Sequence, residues 1–414
     1  MTLGYTHRKT CRACGGSDLP LILGMAPTPP GDHYVTAEKH RDPQPVFPLD
    51  LVMCRTCGLA QLHDTVDPEM LYRDYIYSTS ISLGLMQHFD RYAESVLAEV
   101  APPAGSLVVD IGSNDGTLLA SFAKRGMRVL GIDPAQAVAR KATEAGIETL
   151  PLFFSSSVGE EVRRERGPSA IVTANNVFAN VDDLDDLMTG IRRLLAPDGV
   201  FVFETGYFPD LVRHRVIDNI YHEHLTYYAV KPLMQFFKRH GMELVTITHE
   251  ATKGGSIRGF VRLTERASGA SPGKRDELLR QEVDGGFDRP DALRPFADDV
   301  ANVKRDIQRC VDDLKGQGRT LAGYGASVGV TTLLYYFDLG QALSFMADDN
   351  VLRQGLFTPG HHIPVLPPDA LYERKPDDVF ILAWRYADPI MTKQEAYRQA
   401  GGRFIIPLPE MSIV

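Results

Sequence analysis

Hydrophobic and polar positions divide the chain into stretches with different periods. Up to residue 68 the apolar positions come in short runs broken by Pro27, Pro29, Pro30, Pro43, Pro45 and Pro48, so extended or turning segments are predicted there. From 82 to 100 the period becomes helical: Leu85, Phe89, Tyr92, Val96 and Leu97 share one face, and Pro102-Pro103 ends the run. From residue 107 strand-like and helix-like runs alternate. The pattern predicts strands at 107–111, 129–133, 170–174, 200–204, 244–248 and 258–264, with a helix at 117–125. That is an α/β domain with a largely parallel sheet. The stretch 266–318 is charged and helical, interrupted at Gly285-Gly286 and Pro290. A second alternation follows, with strands at 320–325, 343–347, 379–383 and 403–406 and a helix at 327–337. The predicted organisation is a small lobe over 1–68, an α/β domain over 69–265, and a helical linker plus a second Rossmann-like α/β domain over 266–414.

Composition narrows this picture by exclusion. With 414 residues, 44% of them apolar and 23% charged, the chain can bury a large core, and dominant disorder is ruled out. A net charge of −9 argues against nonspecific nucleic-acid binding, which needs a basic face to release counterions. No apolar run reaches the ~20 residues of a membrane span, and the polar, basic start shows no secretory pattern. A cytoplasmic monomer with no nucleic-acid or membrane partner is expected.

Four of the five cysteines form two C-x-x-C pairs, Cys11/Cys14 and Cys54/Cys57, separated by 39 residues and each followed by glycine. Two such knuckles complete a tetrahedral S4 site, which suits one structural zinc ion. A redox C-x-x-C opens a helix after a strand, and neither pair does so. Cys310 lies in a helix-like run and is expected to pack.

The α/β domain carries a candidate cofactor loop. Asp110, Gly112, Asn114, Asp115 and Gly116 follow the buried strand and open a helix, and Asp133 ends the next strand 21 residues after Gly112. An acid there is placed to accept hydrogen bonds from ribose hydroxyls. The loop is acidic and lacks G-x-G-x-x-G spacing, so a pyrophosphate fits poorly. A cationic, phosphate-free nucleoside such as S-adenosylmethionine fits better. Asn176, after the strand 170–174, is a further cofactor or substrate contact, or an ordinary turn residue.

The densest chemistry runs from Asn219 to Tyr228, with Tyr221, His222, Glu223, His224, Tyr227 and Tyr228. Metal binding is a poor fit, because no H-E-x-x-H spacing is present. Acid–base chemistry is the preferred reading: a histidine near neutral pH can take a carbon-bound proton made acidic by a ketone, with Tyr221 and Glu223 orienting it or stabilising the enolate. Ser256 and Arg258, beside Gly254-Gly255, either approach the substrate or belong to a hairpin turn.

Taken together these segments resemble the nucleotide-sugar C-methyltransferases of branched deoxysugar biosynthesis, the tetronitrose 3-C-methyltransferase type found in antibiotic pathways. The resemblance runs nearly end to end. It rests on the paired C-x-x-C lobe, the run from Tyr75 to Ser80, Asp110–Gly116, Asn176–Asn180 and Tyr221–His224. It continues through Gly254–Arg258, Gly323–Ser327 and the closing run Gly401–Pro409. It implies three parts: a zinc lobe, an S-adenosylmethionine domain, and a Rossmann-like domain that helps hold a nucleotide-linked 4-keto-deoxysugar. It implies His224 as the base at carbon 3, Tyr221, Glu223 and Tyr75 as its active-site neighbours, and Tyr77 among the cofactor contacts. His222, Tyr324 and Ser327 are expected on the substrate side. Two positions depart from the pattern. Asn180 stands where the family has histidine, and Val328, Gly329 and Val330 stand where lysine and asparagine are frequent. Asn180 can donate a hydrogen bond but cannot shuttle a proton near pH 7. Backbone amides at the start of the 327–337 helix remain able to bind an anion. Two other readings keep the cofactor. One is O- or N-methylation, or C-methylation of a non-nucleotide keto compound. The other is a non-catalytic scaffold that binds S-adenosylmethionine without turnover.

Overall fold

The computed structural model describes residues 4–72, 85–267 and 271–414. Among these, the strands form four sheets. The largest has seven strands, ordered Met242–Glu250, Ser256–Leu263, Leu195–Gly206, Ser169–Asn175, Leu107–Ile111, Arg128–Ile132 and Thr149–Leu150. Ser256–Leu263 runs antiparallel to both of its neighbours, and the other pairings are parallel. Every residue of Leu107–Ile111 is buried, as a central strand covered by helices on both faces requires. The chain leaves this strand toward Arg128–Ile132 on one side and returns at Ser169–Asn175 on the other. The loops at the carboxyl ends of the strands therefore part and leave a crevice.

A second sheet of six strands repeats the plan: Val365–Leu366, Leu343–Ala347, Leu321–Tyr324, Asp378–Ile381, Arg403–Ile406 and Ser412–Ile413. Its first strand in the chain, Leu321–Tyr324, again lies inside the sheet, between Leu343–Ala347 and Asp378–Ile381. The long helix Arg294–Gly316 leads into it, burying Phe296, Val300, Val303, Ile307, Val311 and Leu314 at spacings of three and four residues.

The N-terminal lobe holds strands Leu21–Leu23, Leu51–Met53 and Ala60–Leu62 in one antiparallel sheet. Its fourth strand comes from far along the chain. Thr226–Tyr227, directly after the His222–His224 cluster, pairs with Ala60–Leu62. No periodicity in the sequence marks this two-residue strand, because the pairing is non-local. Leu51, Met53 and Leu62 share one core with Leu211, Ile217, Val300 and Leu333. The lobe is thus packed against both α/β units, and the candidate catalytic segment lies where the three meet. Among the described residues no helix is long and apolar enough to cross a membrane.

Candidate active site

The four paired cysteines converge. Their sulfurs lie within 4.8 Å of one another, with Cys11–Cys57 at 3.6 Å and Cys14–Cys54 at 3.5 Å. A disulfide needs about 2.05 Å. A zinc ion bonded to each thiolate at about 2.3 Å in a tetrahedron spaces sulfurs about 3.8 Å apart, so the cluster fits that ion. Cys11, Cys54 and Cys57 are buried and Cys14 partly so, which leaves a closed, structural site. Arg12, inside the first knuckle, turns a buried side chain inward. It donates to Asp182 at 2.8 Å, to the Leu62 carbonyl at 2.6 Å and to Thr65 at 2.7 Å.

Asp182 lines a cavity of about 470 Å³ at the crevice of the first sheet. Asp110, Gly112, Asn114, Asp133 and Asn176 line it as well. Gly112 has φ +71°, and a Cβ there would stand 2.8 Å from Val177, so glycine is required. Asp133 accepts the backbone N–H groups of Asn114 (2.8 Å) and Ala135 (2.9 Å). Asp110 accepts the Thr173 hydroxyl at 2.6 Å, yet burial pushes its carboxyl up to about 7. Several polar atoms of the lining are buried with no hydrogen-bond partner among the described residues: Ser113 Oγ, both ends of the Asn175 amide, and Asn180 Oδ1. Each such group costs about 1–3 kcal/mol if left unmade. Hydroxyls, amines and carboxylate of a nucleoside with an amino-acid tail satisfy them, and the carboxylates suit its positive charges, so the site fits S-adenosylmethionine. Asp115 and Gly116 do not line this cavity. Asp115 accepts from the N–H (3.2 Å) and hydroxyl (2.5 Å) of Thr117, the first residue of the helix Thr117–Ala123. Tyr75 and Tyr77 lie outside the described residues.

Across the same cavity stand Tyr72, Asn180, Tyr221, Glu223 and His224. His224 Nδ1 donates to the Asn219 carbonyl at 2.9 Å, which leaves Nε2 as the acceptor; Tyr221 donates its hydroxyl to Nε2 at 2.9 Å. The tautomer follows from this network. Burial pushes the His224 imidazole down to about 4, against the Asn219 bond, and the Lys253 ammonium pushes the same way. The ring is therefore neutral near pH 7. Burial, with Glu223 nearby, holds the Tyr221 phenol well above its ordinary value.

The turn Ile217–Asn219 that carries this pair is gripped from the second sheet. Arg385 donates to both oxygens of Asp218 (2.7 and 2.6 Å), and Trp384 Nε1 donates to Oδ1 at 3.2 Å. Thr332 donates to the Ile220 carbonyl at 2.7 Å. A Cβ on Gly329 would stand 2.1 Å from the Asp218 carbonyl oxygen, so only glycine lets the helix approach.

Other sequence-derived contacts fall elsewhere. His222 is buried against the lobe, with Nε2 3.3 Å from the Phe47 carbonyl. Ser256 donates to the Thr252 carbonyl at 3.0 Å. Arg258 faces away from the cavity: it binds Glu204 at 2.7 and 3.1 Å, donates to Ser95 at 3.1 Å and lies 4.2 Å over the Tyr92 ring. Burial pushes the Glu204 carboxyl up, but His88 and Arg258 outweigh it and hold it below its ordinary range. Gly254 and Gly255 belong to the turn between antiparallel strands. Tyr324 donates to Asp349 at 2.9 Å. Ser327 is exposed, and the neighbouring Ala326 N–H donates to Asp348. That carboxylate lies just ahead of the helix start expected to take an anion. Val328 packs against Gly31, which accounts for an apolar residue there. Asn175, Asn219 and Lys253 escaped sequence reading. Asn175 and Asn219 adjoin recognised motifs, but nothing local separates them from turn residues.

Three family models match the chain. One described as a zinc binding domain covers residues 11–72, one described as a methyltransferase domain covers 86–247, and one described as a C-methyltransferase C-terminal domain covers 251–409. The chain is 34% identical over 405 residues to the C-methyltransferase NovU of Streptomyces niveus, covering 98% of this chain and 96% of that one. It is 30% identical over 105 residues to a ubiquinone biosynthesis O-methyltransferase of Salmonella paratyphi A, which is 24% of this chain and 43% of that one. Among solved structures, a S-adenosylmethionine-dependent methyltransferase from Clostridium acetobutylicum aligns at TM-score 0.35 and 12% identity, covering 43% of this chain and 92% of that one.

Proposed function

The chain belongs to the S-adenosylmethionine-dependent C-methyltransferases with a zinc lobe, and on that premise we propose that its acceptor is a nucleotide-linked 4-keto-deoxysugar, methylated at carbon 3. The observation that carries this reading is the neutral, tautomer-fixed His224 facing the same cavity as the cofactor loop. A ketone acidifies the proton on the adjacent carbon, and a neutral imidazole is the group to accept it. His224 takes that proton at Nε2, and the C–H electron pair moves into the enolate. When bound, S-adenosylmethionine supplies an electrophilic methyl on a sulfonium, which the enolate carbon receives. Tyr221 donates to the Nε2 lone pair and, once an acceptor enters, offers its hydroxyl to a substrate oxygen. Asn219 keeps the imidazole in the productive tautomer. Asn180 binds the sugar through hydrogen bonds without moving a proton. Asp110, Gly112, Asn114, Asp133, Asn175 and Asn176 hold the cofactor. Tyr75 and Glu223 keep the flanking roles the family resemblance implies. Holding both reactants in one closed cavity supplies much of the rate.

The test is proton exchange. The protein is incubated in deuterated water with S-adenosylhomocysteine and a panel of nucleotide 4-keto-6-deoxysugars, and mass and proton spectra are read. Deuterium entering at carbon 3 and lost in His224→Gln is the expected result. Cofactor binding without exchange on any keto-sugar would sink the reading.

A further inference from the structure

The main cavity is lined by Asp110, Asp133, Asp182, Asp183 and Glu223, but among the described lining residues only one is a lysine or arginine, Lys253. Lys253 sits in the turn between strands Met242–Glu250 and Ser256–Leu263, and its backbone is left-handed, φ 53° and ψ 27°. For a non-glycine residue that conformation is strained and persists only where the surroundings hold it. The Asn219 side-chain amide donates to the Lys253 carbonyl at 3.2 Å. The carbonyl of the same Asn219 fixes His224. One residue therefore sets the base and the cation relative to each other.

The Lys253 side chain stays open to the cavity, and among the described residues its ammonium makes no hydrogen bond or ion pair. Two of the neighbouring charges are engaged elsewhere. Arg385 is held by Asp218, and Glu204 by His88 and Arg258. Burial pushes the Lys253 ammonium below its ordinary value, Arg385 adds to this, and Glu204 and Glu223 oppose it. Lys253 is exposed to the same cavity that His224 and Tyr221 line, so its ammonium is placed to meet an anionic group that forms there. Removal of the carbon-bound proton creates such a group beside His224. As Nε2 gains the proton, the C–H electron pair becomes the C=C bond, and the ketone oxygen takes up the carbonyl π pair.

We propose that Lys253 is a further catalytic residue whose ammonium receives the acceptor's ketone oxygen and stabilises the negative charge developing there. This rests on the enolate reading above.

The test compares wild type with Lys253→Met, Lys253→Arg and Lys253→Asn in the full-length zinc-loaded protein, the last because asparagine tolerates the left-handed backbone. Carbon 3 exchange, methyl transfer, S-adenosylhomocysteine affinity and Tm are measured. The expected result is a drop in kcat and exchange of about 10²-fold in Lys253→Met and Lys253→Asn, the size of losing one oxyanion donor, with partial rescue by arginine. Cofactor affinity and Tm stay at the wild-type values. Exchange in both variants within about threefold of wild type, or a change confined to KM, overturns the assignment. Methyl transfer by wild type without exchange overturns the enolate reading and this assignment together. Exchange that survives loss of Lys253 overturns this assignment alone.

Discussion

In the loop after strand Leu107–Ile111, Asn114 donates its backbone N–H to Asp133, the acid ending the next strand, at 2.8 Å. In the loop after Leu321–Tyr324, Ala326 donates its backbone N–H to Asp348, the acid just past the corresponding strand. The two α/β units share this plan, yet their surroundings differ. Around the first loop the side chains of Ser113 and Asn175 have no partner among the described residues and stand on a cavity wall. Around the second, Tyr34 donates to the Ala326 carbonyl at 2.7 Å, Val328 lies against Gly31 and Gly329 against Asp218. The first switch point opens on the cavity, while around the second the N-terminal lobe and the Asp218 turn pack against the chain. The second unit also holds, through Arg385 and Trp384, the turn that leads to His224. A fold supplies the location, and its neighbours decide the use.

The largest effect expected is at the turn that the second unit supports. His224→Gln should lower exchange and methyl transfer by about 10³-fold, within the range for loss of a general base, while S-adenosylhomocysteine titrations stay unchanged. Gly329→Ala should push on the Asp218 carbonyl and cost kcat about 10-fold or more with cofactor affinity intact. A loss of cofactor affinity there instead would break the division between the two units. Asp133→Asn should weaken S-adenosylmethionine binding about tenfold, the lower end for hydrogen bonds to a charged group, measured by calorimetry. The matching Asp348→Asn should leave that binding constant unchanged.

Acidity gives a smaller, graded effect. The Asp110 carboxyl is pushed up to about 7, and a cationic cofactor favours its ionised form. Affinity should therefore be level above about pH 8 and fall as pH drops through about 7, approaching tenfold per unit, and Asp110→Asn should flatten that slope. With cofactor saturating, the limb belonging to His224 should lie near 4, leaving exchange level from pH 6 to 8. The smallest effect is expected for the exposed Ser327→Ala, which should change KM by less than about twofold. A large rise in KM would reopen the second loop as a substrate site.

What could be read from sequence was local in the chain. The alternation of strand and helix placed both sheets, because each element carries its own period. The cysteine pairs, the Gly112 loop with Asp133, and the cluster from Asn219 to His224 each lie within one turn or one strand–turn unit. Arg258 could not be read this way, since its partner Glu204 is 54 positions distant. Nor could His222, whose ring meets Phe47 from 175 positions away. Whether the stretch Val328–Val330 binds phosphate or packs depended on Gly31 and Asp218, which no pattern in that stretch encodes.

The sequence by itself determined the element types, the four thiolates for zinc and the acidic, glycine-bearing loop for a cationic nucleoside, because backbone period, knuckle spacing and turn chemistry are short-range. Tertiary structure alone decided which switch point stays open. It also decided that the second unit holds Asp218, that Asn219 sets both His224 and Lys253, and that the lobe's sheet closes with Thr226–Tyr227. These are matters of which distant surfaces meet, and burial and hydrogen bonding across such contacts arise only once the chain has packed.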